Sequence, residues 1–278
     1  MSLGLADIRG FIPLVLKFIL YLRSRFDPAL RQAARFLKAF EAHGIARMQI
    51  GRLLPVTLRS KSIPLASFSS ADALKPVLTA ELLDWTADLW GLQRTWLDLA
   101  GGSDSYQGPH RHCHVYKDPE AMAVCLDEAL MRIPVSPLDL RMLVFATTKE
   151  AFLQPTSDPI VIALEEPAGE LDDQLLHRYT MLSEGWQLDH TPCLINAVSL
   201  CRMATERKIN IRGVVVSHRE LKRLVLGRSF IPEARRKCRG IWYPEDVLDD
   251  RRTGRSHDLT QLRNEVNSFL GTDRCAKR

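Results

Sequence analysis

The residues best equipped for chemistry cluster in a few places. His110-Arg111-His112-Cys113-His114 is the densest metal-capable stretch. Histidines two apart on a strand share a face, and Cys113 adds a soft ligand. No second pair at zinc spacing follows, and Cys125 is the only nearby addition. The stretch therefore reads as a polar junction between a linker and a strand, and neither a metal nor another cofactor is expected. Cys193 or Cys201 with His190 has the makings of a nucleophile and its base. Nothing local prepares such a thiolate, and a cysteine on a helical stripe packs as a small hydrophobe. Glu165, Glu166, Glu170, Asp172 and Asp173 are types that hold divalent cations or serve nucleases. Acids also favour the first turn of a helix, so they are expected on a solvated helix start. A phosphate-binding glycine loop, a nucleophile elbow and kinase motifs are all missing. Catalysis is accordingly not expected.

Basic residues are the next chemistry. Between His218 and Arg239 stand Arg219, Lys222, Arg223, Arg228, Arg235, Arg236, Lys237 and Arg239 against Glu220 and Glu233, with Trp242 and Tyr243 just beyond. This patch suits a second nucleic-acid contact or, equally, an intersubunit contact with acidic residues. The formal net charge of the 278 residues is only +5, but it is a cancellation. Residues 1–100 carry +5, residues 101–190 carry −9 and residues 191–278 carry +9, while residues 1–62 alone carry +8. Basic blocks attract polyanions in a salt-dependent way.

The elements that would hold these groups follow from patterning. A 46% hydrophobic and 26% charged composition is that of a folded globular chain and excludes collagen, rods and disulfide miniproteins. The length suits about two domains. Six cysteines without a C-x-x-C pair point to reduced thiols and a cytoplasmic protein. Residues 11–22, FIPLVLKFILYL, are too few to span about 30 Å of hydrocarbon. They read as a buried or partner-facing helix and a dimer seam, not a membrane segment.

Asp27-Pro28 is a cap followed by a first-turn proline, opening a helix to about Ala42 that His43-Gly44 closes. Short helices follow at 46–54, from Ser70 to Lys75 and from Thr79 to Gly91. Residues 1–100 are thus expected to be all helical, with 101–110 as linker. Residues 111–250 are expected to form an α+β domain in the order β-α-β-β-α-β, with 170–207 mostly helical and a break near His190-Thr191-Pro192. A C-terminal helix and tail occupy 251–278.

Residues 45–98 resemble the lambda-repressor-like helix-turn-helix of bacterial transcriptional regulators. Ile50-Gly51-Arg52-Leu53-Leu54-Pro55-Val56-Thr57 stands where that family has an apolar residue, a small residue, two variable residues, Leu, Gly, an apolar residue and a hydroxyl. Leu82 to Leu92 with Thr95-Trp96-Leu97 is similar to its fourth helix and the start of its fifth. Pro55 in place of the turn glycine, and Pro64 soon after, depart from the pattern. The resemblance implies that Gly51 lets two helices approach closely. It also implies DNA contacts from Arg47, Gln49, Arg52, Thr57, Arg59, Ser60, Lys61 and Ser62. The whole then reads as a dimeric regulator binding double-stranded DNA, whose C-terminal domain senses a small-molecule or protein effector or drives oligomerisation. The alternatives are a nucleic-acid-processing enzyme and an interaction module with a degenerate helix-turn-helix.

Overall fold

The computed structural model describes residues 27–59, 63–99, 108–133, 139–183, 185–249 and 258–271. The chain is mixed α and β and divides into two compact units. Among the described residues, 27–86 and 94–99 form the first, and 87–93 with those from 108 onward form the second. The apolar run 11–22 lies outside the described residues. No helix among those described is long and apolar enough to cross a membrane.

The first unit is helical. Helix α1, Pro28–Ala42, begins where the Asp27 carboxylate accepts a hydrogen bond from the Leu30 amide at 3.1 Å. It ends where Gly44 takes a φ of +82°. Its buried stripe includes Leu30, Phe36, Leu37 and Phe40. The Phe36 ring lies 4.9 Å from Phe40 and 6.1 Å from Phe68, and Phe40 lies 5.5 Å from Trp85. Burying each phenylalanine contributes about 1.5–3 kcal/mol. Around this aromatic centre run one-turn pieces: α2 (Ile50–Leu53), α3 (Val56–Arg59), a 3-10 turn Leu65–Ser69 and α4 (Ala71–Leu74). Helix α5 (Ala80–Trp90) follows, its last turn belonging to the second unit, and α6 (Arg94–Leu97) closes the first.

The second unit is built on a seven-stranded mixed sheet in the order β1-β4-β3-β2-β6-β7, with β5 pairing β3. The strands are β1 (Arg111–His112), β2 (Arg141–Ala146), β3 (Pro159–Leu171), β4 (Gln174–Met181), β5 (Trp186–Gln187), β6 (Asn210–Val215) and β7 (Gly240–Trp242). Side chains alternate across the sheet, and each face has its own core. Met142, Val144, Ile160, Ile162 and Leu164 meet α7 (Pro119–Met131), α8 (Thr191–Glu206) and α11 (Asp258–Phe269), the last through Leu262 and Val266. Leu143, Phe145, Val161 and Ala163 meet α9 (His218–Val225) and α10 (Ile231–Arg236). Seven consecutive residues of β3, Ile160 to Glu166, are buried because both faces are covered.

Two expectations are corrected. The β-α-β-β-α-β order gives way to β1-α7-β2-β3-β4-β5-α8-β6-α9-α10-β7. Residues 170–181 are not helical. Leu171 pairs with Gln174 across Asp172-Asp173, whose φ values of 51° and 62° make the tight left-handed turn of a hairpin. Aspartates tolerate that conformation, and they were read instead as a helix start. The helix begins only at Thr191, with Pro192 in its first turn.

Candidate nucleic-acid interface

Ile50, Leu54 and Leu58 recur every four residues and are all buried. Arg52, Val56, Thr57 and Arg59 face outward, beside the exposed Arg47 and Met48. Val56 is 79% exposed and Met48 59%. The corner between α2 and α3 is made by Leu54-Pro55. The Pro55 carbonyl accepts hydrogen bonds from the Leu58 and Arg59 amides at 2.9 and 3.0 Å. Pro55, which has no N–H to give, fits a turn in which only its carbonyl is needed.

The arginines there are already held by their own chain. Arg47 donates through Nε to Glu41 at 2.6 Å and through Nη1 to the Ser69 carbonyl at 2.7 Å. Arg59 donates through Nε to the Leu54 carbonyl at 2.6 Å and through Nη2 to the Arg52 carbonyl. Those carbonyls lie at the end of α2, where no intrahelical amide can reach them. Arg59 is therefore a cap for α2 as well as an outward charge. Gln49 accepts a hydrogen bond from the Ala46 amide at 3.0 Å and fixes the turn before α2. Gly51 is overlaid not by a second helix but by the turn that Pro64 opens: a Cβ there would fall 2.1 Å from Leu65 Cδ2. Ser60, Lys61 and Ser62 lie outside the described residues.

Set against protein-family models, curated proteins and solved structures, the chain finds no match.

The second basic patch, on α9 and α10, is less cationic than its sequence. Glu220 receives Lys237 Nζ at 2.8 Å and Arg223 Nη1 at 3.4 Å. The Lys237 hydrogen bond foremost holds its carboxyl below the usual range. Arg235 is bonded to Glu165. Arg219, Lys222 and Arg236 are exposed.

Glu165 and Glu166 are not the solvated pair their sequence suggested; they are 0% and 1% exposed. Adjacent on β3, they point to opposite faces, and each sits between two arginines. Glu165 meets Arg141 at 3.3 Å, Arg235, and the Tyr179 hydroxyl at 3.0 Å. Glu166 meets Arg132 at 3.0 Å and Arg178 at 3.1 Å. Arg132, Arg141 and Arg178 escaped sequence reasoning. The available signal was the doublet itself: charges that continue an apolar run, PIVIALEE, must be buried and hence paired.

The histidine stretch does not form one ligand set. His110 is fully buried, not part of a polar junction. Its Nε2 accepts a hydrogen bond from the Ile231 amide at 3.0 Å, and its ring packs edge-on against Tyr179 and Phe230. The His112 and His114 rings touch each other, with centroids 4.3 Å apart. Cys201 is buried in the core, which pushes its thiol pKa up. Cys193, by contrast, does lie beside His190.

Proposed function

We propose that the first unit binds double-stranded DNA through the α2–α3 corner, as a degenerate helix-turn-helix, and that the chain is a sequence-specific transcriptional regulator. The observation that carries this reading is the outward row Arg47, Arg52, Val56, Thr57 and Arg59 around one turn, above the buried Ile50, Leu54 and Leu58. Each type has a use on a duplex. The arginines meet phosphates or guanine, Thr57 meets phosphate or base, and the exposed Val56 suits a thymine methyl. Lys61, Ser60 and Ser62 extend the same row in sequence. A dimer would place two such corners on half-sites about 34 Å apart, with the second unit sensing an effector or joining subunits.

One observation favours a second reading, a protein-interaction module: Arg47 and Arg59 are bonded within their own unit, beside the exposed apolar Met48, Val56 and Leu65. A binding series on promoter DNA against salt separates the two. DNA binding requires affinity that falls steeply with salt. Each phosphate-contacting arginine changed to alanine should lower the slope by about one. Affinity indifferent to salt, or unchanged when Arg47, Arg52, Arg59 and Lys61 are all alanine, would reject the DNA reading.

A further inference from the structure

The second unit holds a thiol, an imidazole and a phenol at one place, next to a cavity. Cys193 is the third residue of α8, a helix of 16 residues. Its Sγ lies 3.4 Å from His190 Nδ1 and 3.6 Å from the Tyr116 hydroxyl. Tyr116 comes from the loop between β1 and α7, and buried Asn196 fastens that loop to the helix. The Asn196 side-chain carbonyl accepts a hydrogen bond from the Lys117 amide at 2.7 Å, and its Nδ2 donates to the Pro192 carbonyl at 2.5 Å. The three groups are therefore positioned by the fold, not gathered by one loop's conformation.

Tyr116 also forms one wall of a cavity of about 410 Å³, lined as well by Trp186, Val115, Leu182, Gly185, His112, His114 and the acidic Asp118. The Tyr116 and Trp186 ring centroids are 5.7 Å apart with the rings tilted by 48°, Tyr116 exposed and Trp186 largely buried. Burial, and then the neighbouring His114, push the His112 pKa down to about 4, so its ring is neutral near pH 7. With Asp118 in its lining the space disfavours an anion, and it suits a planar, conjugated molecule without negative charge.

We propose that Cys193 is a nucleophile for such a molecule, an enone or quinone admitted beside Tyr116 and Trp186, with His190 as its base. His190 Nδ1 takes the Sγ proton. Sγ forms a bond to the electrophilic alkene carbon, and the alkene π pair moves onto the conjugated carbonyl as an enolate. The proton carried by His190 then returns to that enolate, leaving a thioether. Nothing is oxidised and no group departs. A soft sulfur and a soft conjugated carbon are matched partners, and a histidine within reach is what raises the thiolate fraction.

The test treats the full chain with limiting N-phenylmaleimide near pH 7 and maps the modified cysteines by mass spectrometry. Cys238 is the internal reference: it is exposed, and its thiol donates to the Gly240 carbonyl at 3.0 Å. Cys193 should react roughly tenfold or more faster than Cys238, and His190→Ala should remove that advantage. Pretreatment with 1,4-naphthoquinone should leave a mass-detectable adduct on Cys193 and block the maleimide. Trp186→Ala should slow N-phenylmaleimide more than iodoacetamide, whereas His190→Ala slows both. Labelling of Cys238 ahead of Cys193, or a His190→Ala rate equal to that of the unaltered chain, would overturn the proposal. Circular dichroism of each variant confirms that the comparison is between folded proteins.

Discussion

Arginines meet their partners differently in the two units. In the first, Arg47 and Arg59 bond to main-chain carbonyls and to the exposed Glu41 at the surface, so the charge stays in water. In the second, Arg132 and Arg178 enclose Glu166, and Arg141 and Arg235 enclose Glu165, with both carboxylates buried. The same side chain thus trims helix ends in one unit and makes buried carboxylates tolerable in the other. The difference follows from solvent. A surface pair gains little because water competes, whereas a buried carboxylate without its partners carries the full cost of desolvation.

The largest expected effect breaks the second arrangement. Arg132→Ala with Arg178→Ala leaves the buried Glu166 carboxylate without a charged partner and should cost about 3–5 kcal/mol in chemical denaturation. Replacing all three residues by apolar ones of similar volume should recover much of that loss, which would show that the pairing satisfies the carboxylate more than it stabilises the fold. A loss under about 1 kcal/mol for the two arginine changes would instead place this cluster with the surface pairs.

Next comes His110. Its change to alanine leaves the buried Ile231 amide without an acceptor and should cost about 1–3 kcal/mol, with faster hydrogen exchange at that amide as the local readout. The pH dependence is of similar size. His112 titrates near 4 when folded and near 6.5 in the unfolded chain. Between these values the unfolded chain binds the extra proton, so stability falls as pH drops from about 6.5 towards 4. The slope from this group is at most about 1.4 kcal/mol per pH unit, and less because the ring is partly solvated. His112→Gln should flatten that part of a Tm-against-pH curve relative to the unaltered chain. The smallest effect is in the first unit: Arg47→Ala should change stability by no more than about 1 kcal/mol. A weakened salt-dependent DNA affinity in that same variant would sharpen the contrast, since its charge would then serve a partner, not the fold.

Local rules made much of the molecule readable. Asp27-Pro28 and Asp118-Pro119 announce α1 and α7 because a carboxylate and a proline satisfy an open helix end. The apolar runs at 140–147 and 159–164 announce strands. The hairpin at Asp172-Asp173 was missed because turn-forming and helix-starting aspartates look alike in one dimension. Arg59's role as a cap for α2 was not legible, since it depends on which carbonyls come within reach.

What the sequence determined by itself is local: caps, periodicities and the charge of each segment. What only the tertiary structure decided is pairing across distance. The cover on both faces of β3 buries Glu165 and Glu166. The loop at Tyr116 and the start of α8 put a phenol, an imidazole and a thiol together across 77 residues. The physical reason is the range of the forces. Capping and steric preferences act between residues a few positions apart, whereas burial, desolvation and long-range hydrogen bonds depend on every element packed against a group, whatever its place in the chain.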